Sequence, residues 1–289
     1  GQGTQFIGMG KDLVEQFETA RHVFEEVDDA LHQPLSRLMF EGEISELTQT
    51  QNAQPAIMAV SIAALKAYEE VTGQKAVDTA RFVIGHSLGE YSALCAASAL
   101  NTMQTAQLLQ ARGTAMQQAA DIHPGAMAAV LGLDREEVSA LIQDALTPNE
   151  VCVIANDNCP GQIVISGTKA ALDKAVALAP AHGAKRAVLL PVSGAFHSPL
   201  MQSAADEMRS ILQDAPIQNP IIPVIANVTA CPVQEAETIK NLLTQQITGS
   251  VRFTESVGFL KEQGINRIVE FGPGKVLTGL IKRMMPDAT

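Results

Sequence analysis

Ala80-Arg-Phe-Val-Ile-Gly-His-Ser-Leu-Gly-Glu-Tyr-Ser-Ala-Leu-Cys-Ala-Ala-Ser-Ala-Leu100 decides how the chain is organised. Its first six residues are a short apolar run with β-prone side chains, and from Leu88 onward it is rich in alanine and leucine, which favour helix. A strand therefore turns sharply into a helix, and the junction Gly85-His-Ser-Leu-Gly89 fits the G-x-S-x-G nucleophile elbow. The flanking glycines permit a tight, strained turn that lifts the Ser87 hydroxyl above the strand end. The helix that follows aims its free N–H groups and positive end at the same point. The plainer alternative is a glycine-flanked turn in which Ser87 only caps the helix.

Outward from this junction, apolar residues at helical spacing predict helices over 11–28 and 53–72, the second stopped by Gly73, and another over 103–119. The stretch 125–192 reads as strand (126–131), helix (134–146), strand (151–155), strand (162–166), helix (169–181) and strand (185–191). This βαββαβ order is that of the ferredoxin-like unit. Pro124 and Pro191-Val-Ser-Gly mark its ends. The rest alternates again: helix 198–213, strand 222–226, helices 235–246 and 254–263, strand Arg267–Phe271, helix 275–285. Strands alternating with helices imply a parallel sheet covered on both faces. The expected fold class is thus α/β, an α/β-hydrolase-like parallel sheet with an inserted ferredoxin-like subdomain at 124–192, the larger part being 1–123 and 193–289. The chain opens on Gly1-Gln-Gly-Thr-Gln, a turn sequence with no strand before it, so a first strand is expected to precede this numbering.

Composition narrows the function. At 289 residues and 46% hydrophobic content the chain can bury a full core. No apolar run approaches the roughly 20 residues of a membrane helix and no charged-then-apolar leader appears, so a cytoplasmic address is expected. Cys95, Cys152, Cys159 and Cys231 are far apart and read as reduced and structural. A net charge of -11 repels polyanions, which argues against nucleic-acid binding. No metal-ligand spacing is present.

A serine nucleophile needs a base. Of the six histidines, His22, His32, His86, His123, His182 and His197, the last lies in the turn-rich Ser193-Gly-Ala-Phe-His-Ser-Pro, where a loop can set a side chain over a sheet. His86 is adjacent to the serine and reads as a support for the turn. No histidine follows His197, and most acids between Ser87 and His197 fall in the inserted unit. A Ser-acid-His order is poorly matched, and a serine-histidine dyad with a carbonyl orienting the imidazole fits better. Arg112 stands alone in a mostly uncharged helix and calls for an anion; its planar fork suits a carboxylate, which would let a pocket select a diacid half-ester. The competing reading is an exposed or structurally paired arginine. The scattered methionines read as core filler.

Taken together these segments resemble the malonyl-CoA:acyl carrier protein transacylase family along the whole chain. Gly1-Gln-Gly-Thr-Gln is similar to its opening turn, Gly85-His-Ser-Leu-Gly-Glu-Tyr to its nucleophile motif, and Gly194-Ala-Phe-His-Ser-Pro-Leu-Met to its histidine motif. Gln246 to Phe253 resembles its later glutamine-containing motif, and Glu270-Phe-Gly-Pro-Gly-Lys-Val-Leu its closing turn. The resemblance implies that Ser87 is acylated, that His197 is base and then acid, and that Arg112 holds the malonyl carboxylate. It further implies that Gln2 and Leu88 give oxyanion N–H groups and that Gln246 orients His197 through its main-chain carbonyl. His86 joins the substrate-binding set, Phe196 matches the form associated with malonyl rather than methylmalonyl, and Asn156 and Gln162 line the cleft. Departures are Thr4 for serine, Gly249-Ser250 for Asn-Pro and Phe253 for tryptophan.

The implied reaction is ping-pong transfer of malonyl from coenzyme A, a substrate rather than a cofactor, to the phosphopantetheine thiol of acyl carrier protein, with no other cofactor. Rivals are a discrete polyketide acyltransferase, a serine thioesterase or esterase, and a silent module that only docks carriers. Because such carriers are acidic, Lys185, Arg186, Lys275, Lys282 and Arg283 are the expected docking cations.

Overall fold

The computed structural model describes residues 1–289. In chain order the first helices are α1 (Lys11–Gln16), α2 (Glu18–Leu31), α3 (Leu35–Glu41), α4 (Ile44–Leu47), α5 (Thr50–Thr72) and α6 (Ala76–Thr79). Strand β1 (Val83–Ile84) leads into α7 (Gly89–Ala96) and α8 (Thr102–Ile122). The middle of the chain is β2 (Ala126–Leu131), α9 (Arg135–Ala145), β3 (Cys152–Cys159), β4 (Gln162–Gly167), α10 (Lys169–Leu178) and β5 (Arg186–Leu189). There follow α11 (Gln202–Asp214), β6 (Val224–Ile225), β7 (Pro232–Val233), α12 (Ala236–Thr248), β8 (Val251–Arg252), α13 (Phe253–Glu262) and α14 (Val276–Met284).

The protein is a mixed α/β structure with two sheets. The smaller has the order β1-β6-β7, in which β1 and β6 run parallel with Val83 beside Val224 and Ile84 beside Ile225. The larger has the order β5-β2-β4-β3-β8, antiparallel throughout except where β8 runs parallel to β3. Strand β8 thus comes from the later part of the chain to the edge of a sheet built by the middle, and it ties the two parts together. The chain leaves and re-enters at one place, where Pro124 and Gly194 form an isolated antiparallel bridge.

Local sequence explains where some elements start and stop. Asn101 and Gln104 form a reciprocal capping box on α8, and Asp134 and Glu137 do the same on α9, each satisfying two N–H groups that a helix start leaves unpaired. Gly73 ends α5 in the left-handed conformation at φ 67°. The helix expected over 11–28 is two helices, because Phe17 is extended (φ -129°, ψ 121°). The strand expected at Arg267–Phe271 does not form. The Ile268 N–H donates to the Thr289 carbonyl rather than to a neighbouring strand, while Phe271 packs edge-on against Tyr68. The parallel sheet is accordingly narrower than the alternation of elements suggests.

One apolar core joins α2, α5, α7, α8, α11 and α12, and a second lies between α9, α10 and the sheet of β2, β4 and β5. Each fully buried Leu109 or Met116 in the first contributes about 1.5–3 kcal/mol. No helix is long and apolar enough to cross a membrane.

Helices α5 and α8 approach so closely that a Cβ on Gly113 would lie 2.5 Å from the Thr50 carbonyl oxygen and 2.6 Å from Gln51 Cα. Both are backbone atoms, so the helices must part to admit a methyl group. Gly113→Ala is expected to lower stability by about 1–3 kcal/mol, seen as a lower urea midpoint with an unchanged slope. An unchanged midpoint would show that this contact does not set the helix spacing.

Candidate active site

The strand-to-helix turn is tight enough that a Cβ on Gly85 would fall 1.9 Å from the Gly89 carbonyl oxygen, so only glycine fits there. Ser87 has φ 56°, a left-handed conformation that costs a non-glycine residue about 1–3 kcal/mol and persists because its surroundings hold it. Asn227, just after β6, supplies that hold. Its Oδ1 accepts the Ser87 N–H at 2.8 Å and its Nδ2 donates to the Gly85 carbonyl at 2.7 Å. The Leu88 N–H at the mouth of α7 has no partner in the protein, and neither has the Gln2 N–H. The Gly1 turn sits against the elbow, where a Cβ on Gly1 would lie 3.5 Å from the His86 carbonyl oxygen.

His197 also has positive φ, at 55°, in a turn pinned by Ser198, whose Oγ donates to the Ala195 carbonyl at 2.6 Å. Its Nδ1 lies 2.8 Å from the Gln246 main-chain carbonyl, which only a protonated nitrogen can satisfy. Nε2 is then an acceptor, 2.9 Å from Ser87 Oγ, within reach of the serine hydroxyl as donor. Burial first, and the charge of Arg112 second, push the His197 pKa down to about 3, so the imidazole is neutral at neutral pH.

Arg112 is only 1% exposed, yet no carboxylate approaches it within ion-pair distance. Its Nη1 donates to Gln54 Oε1 at 2.7 Å, and its Nη2 to Gln246 Oε1 at 2.8 Å and to Ser87 Oγ at 3.1 Å. Its Nε is buried with no partner. The guanidinium stands 5.6 Å from the centre of the Tyr91 ring. A buried guanidinium surrounded by neutral oxygens, with its Nε–H idle, is suited to receive an anion. Gln54 in turn donates to Thr50 Oγ1 at 3.1 Å, and Thr50 to Gln2 Oε1 at 3.1 Å, so the arginine is linked to the opening turn.

Gln246 therefore meets all three groups. Besides its carbonyl on His197 and its Oε1 on Arg112, its Nε2 lies 3.0 Å from the Ser87 carbonyl, 2.9 Å from Glu90 Oε2 and 3.1 Å from Asn227 Oδ1. Glu90, 3% exposed, also accepts the Asn227 N–H at 2.7 Å, and burial raises its pKa to about 7.

The other expected residues divide. His86 Nε2 pairs with Asn158 Oδ1 at 2.7 Å, and burial lowers its pKa to about 4. Phe196 is half-buried between the main core and the small apolar group of Met127, Ala155 and Val164, beside the His197 turn. Asn156 is buried on β3 at the bulge, beside Val251 of β8. Gln162 lies opposite Cys159 at the start of β4, where its Oε1 accepts from Arg283 Nη1 at 3.3 Å, and it joins none of the hydrogen bonds around Ser87. The neighbour that reaches the elbow from this hairpin is Asn158. Sequence reading passed over Asn158, Asn227, Gln54 and Glu90. Glu90 alone carried a local signal, as an acid inside an apolar helix. No group of three metal-ligating side chains gathers anywhere in the chain.

Residues 1–288 match the acyl transferase domain family. A malonyl CoA-acyl carrier protein transacylase of Bacillus subtilis (strain 168) is 45% identical over 284 residues, covering 98% of this chain and 88% of that relative. The solved acyl-carrier-protein-S-malonyltransferase of Bartonella henselae superposes with a TM-score of 0.96 at 51% identity, covering 100% of this chain and 91% of that one. A malonyl-transacylase solved in complex with its type II PKS acyl-carrier protein has a TM-score of 0.94 at 38% identity, with 100% and 92% covered.

The depressed pKa makes a prediction. A group with a pKa near 3 stays neutral from about pH 8 to about pH 5, so His197 remains a competent base across that range. Labelling of Ser87 by a neutral fluorophosphonate is expected to vary by no more than about twofold over it. A fall centred near the ordinary histidine value of 6.5 would contradict this environment.

Proposed function

We propose, for a chain that belongs to the acyl transferase domain family, that it moves a malonyl group from coenzyme A to the phosphopantetheine thiol of acyl carrier protein through a malonyl-Ser87 ester. The observation that carries the choice of acyl group is the buried, unpaired Arg112 with a donor 3.1 Å from Ser87 Oγ. A carboxylate bound there sits a short chain away from the carbon that the serine attacks, which is the geometry of a malonyl half-thioester and not of a plain acyl group.

In the first half-reaction the Ser87 proton passes to His197 Nε2 as Oγ bonds the thioester carbon. The resulting oxyanion is met by the free N–H of Leu88, joined by that of Gln2, and the α7 dipole favours the same charge. On collapse the carbon–sulfur bond breaks and His197 returns its proton to the departing thiolate. The carrier thiol then gives its proton to His197 and attacks the same carbon, Oγ recovers the proton, and malonyl leaves on the carrier. The Gln246 carbonyl holds the imidazole in the required tautomer throughout, and no acid is needed behind it. These steps draw on side chains and backbone alone, with coenzyme A as a substrate. A thioesterase shares the elbow but has no use for a buried guanidinium beside the nucleophile.

Finer readings belong with this function. The β1-β6 pair feeding the elbow supports an α/β-hydrolase-like arrangement at 1–123 and 193–289, and the strand order of 124–192 supports a ferredoxin-like insert; a cytoplasmic address goes with them. For the carrier, Lys185 and Arg283 support a docking face, since Lys185 lies against Gly132 and Arg283 against Gly161, two glycines joined by a backbone hydrogen bond of 2.8 Å. The relative solved with a polyketide carrier supports the same half-reaction on either class of carrier.

Brief exposure to malonyl-CoA followed by intact-mass measurement is expected to show one malonyl adduct on the native chain and none on Ser87→Ala. Arg112→Ala is expected to lose malonylation by a factor of about 100 or more while retaining acetylation from acetyl-CoA. Equal malonylation of Arg112→Ala and the native chain would overturn the carboxylate role. Lys185→Glu with Arg283→Glu is expected to raise the carrier KM about tenfold and leave that for malonyl-CoA unchanged; an unchanged carrier KM would remove this face.

A further inference from the structure

We propose that Glu90 is a positioning residue of the acyl-carboxylate site, one that holds the Gln246 side chain with its oxygen turned toward Arg112 and so keeps the guanidinium on neutral acceptors that the substrate carboxylate can replace. The proposal rests on the reading of Arg112 as the carboxylate receptor.

An amide side chain can sit in either of two orientations, and its neighbours decide which. On one side of Gln246 lie three acceptors: Glu90 Oε2 at 2.9 Å, the Ser87 carbonyl at 3.0 Å and Asn227 Oδ1 at 3.1 Å. On the other side lies Arg112 Nη2 at 2.8 Å, which only donates. Of the three acceptors Asn227 Oδ1 is already taken by the Ser87 N–H, and the Ser87 carbonyl also accepts the Glu90 N–H at 3.1 Å. Glu90 alone can carry a formal charge: burial raises its pKa to about 7, against the Asn227 N–H, the Arg112 charge and the Gln246 amide that favour the ionised form, so the carboxylate prevails on the alkaline side of neutrality. Its two oxygens face two donors, the Asn227 N–H and Gln246 Nε2, so an ionised carboxylate fits and an amide does not.

The series carboxylate, amide, guanidinium is a charge pair with a dipole set between its members. The amide's positive end faces Glu90 and its negative end faces Arg112. A carboxylate placed directly on Arg112 would occupy the fork that the acyl group must use. Held one side chain away, Glu90 compensates the buried cation and leaves the fork bonded only to neutral oxygens, Gln54 Oε1, Gln246 Oε1 and Ser87 Oγ, which a substrate carboxylate can displace.

Glu90→Gln is isosteric and puts an NH2 group against one of the two donors. The relief available is rotation of Gln246, which sets its own NH2 against Arg112. Expected for Glu90→Gln is a rise of about tenfold in the malonyl-CoA KM, with turnover at saturation within about threefold and fluorophosphonate labelling of Ser87 within about twofold. Acylation by acetyl-CoA, which has no carboxylate, is expected to be unchanged. Glu90→Asp, which keeps the charge on a shorter arm, is expected to recover most of the lost affinity. In a Gln246→Ala background Glu90→Gln is expected to add less than about twofold, because the amide through which it acts is gone.

An unchanged malonyl-CoA KM in Glu90→Gln overturns the proposal. So does a parallel fall of malonyl, acetyl and fluorophosphonate reactivity, a full additional loss in the Gln246→Ala background, or failure of the isosteric variant to fold. Arg112→Ala run beside it separates the two ideas. If it raises the malonyl KM and Glu90→Gln does not, only Glu90 is misread; if it leaves that KM alone, the receptor reading itself is wrong.

Discussion

Gln246 is the constraint on which the rest of the site depends. Its main chain fixes one member of the nucleophile pair and its side chain fixes the cation beside that pair, so a single residue at the end of α12 sets the relative positions of Ser87, His197 and Arg112. The three come from different parts of the fold: a turn after β1, a turn after the sheet of the middle segment, and the interior of α8. None is near another in the chain. What brings them together is a fully buried glutamine with every polar atom engaged, and a buried polar network of this kind is stabilising only while all its members are paired.

The site is also where the backbone is least relaxed. Ser87 and His197 both sit at positive φ without being glycine. Each is over-determined by neighbours, Ser87 by the crossed hydrogen bonds of Asn227 and His197 by the Ser198 turn and the Gln246 carbonyl. The strain is offset by packing of α5, α7, α8 and α12 around a common apolar core. Because nucleophile and base are held before substrate arrives, little reorganisation remains for the chemical step. The low pKa of His197 belongs to the same design: burial beside a cation keeps the base unprotonated, and entry of an anion at Arg112 would relax part of that pressure when the imidazole must take a proton.

How much of this was legible in the sequence follows from the range of each interaction. The elbow was readable because Gly85, Ser87 and Gly89 act within one turn. Strand 126–131 and the helices with capping residues, α8 and α9, depend on neighbours three or four residues away, so their pattern is visible in the string. Arg267–Phe271 shows where that logic ends: its side chains suit a strand, but a strand needs a partner, and its backbone bonds the end of the chain instead. Short helices such as α3 and α4 lacked enough periodicity to register. At the site, His197 and Arg112 stood out as polar groups in conspicuous surroundings, whereas the part played by Gln246 was suggested only by resemblance. Asn227 and Glu90 act across 140 and 156 residues, on Ser87 and Gln246 respectively; an acid inside an apolar helix marks Glu90 as unusual, but nothing local names its partner, and Asn227 carries no local mark at all. The contact of Asn158 with His86 is equally silent in the string, since it depends on the bulge between Asp157 and Cys159, while Gln162 opposite Cys159 bonds Arg283.

The claim that Gln246 sets the state of the nucleophile pair is tested most directly by the ring nitrogens of His197. In protein labelled with ¹⁵N at histidine, with the signals of His197 assigned by their loss in His197→Ala, the account predicts at neutral pH a protonated Nδ1 and a bare Nε2. A ring protonated at Nε2, or at both nitrogens, would contradict it, for then neither the Gln246 carbonyl nor the Ser87 proton has the partner that this geometry requires.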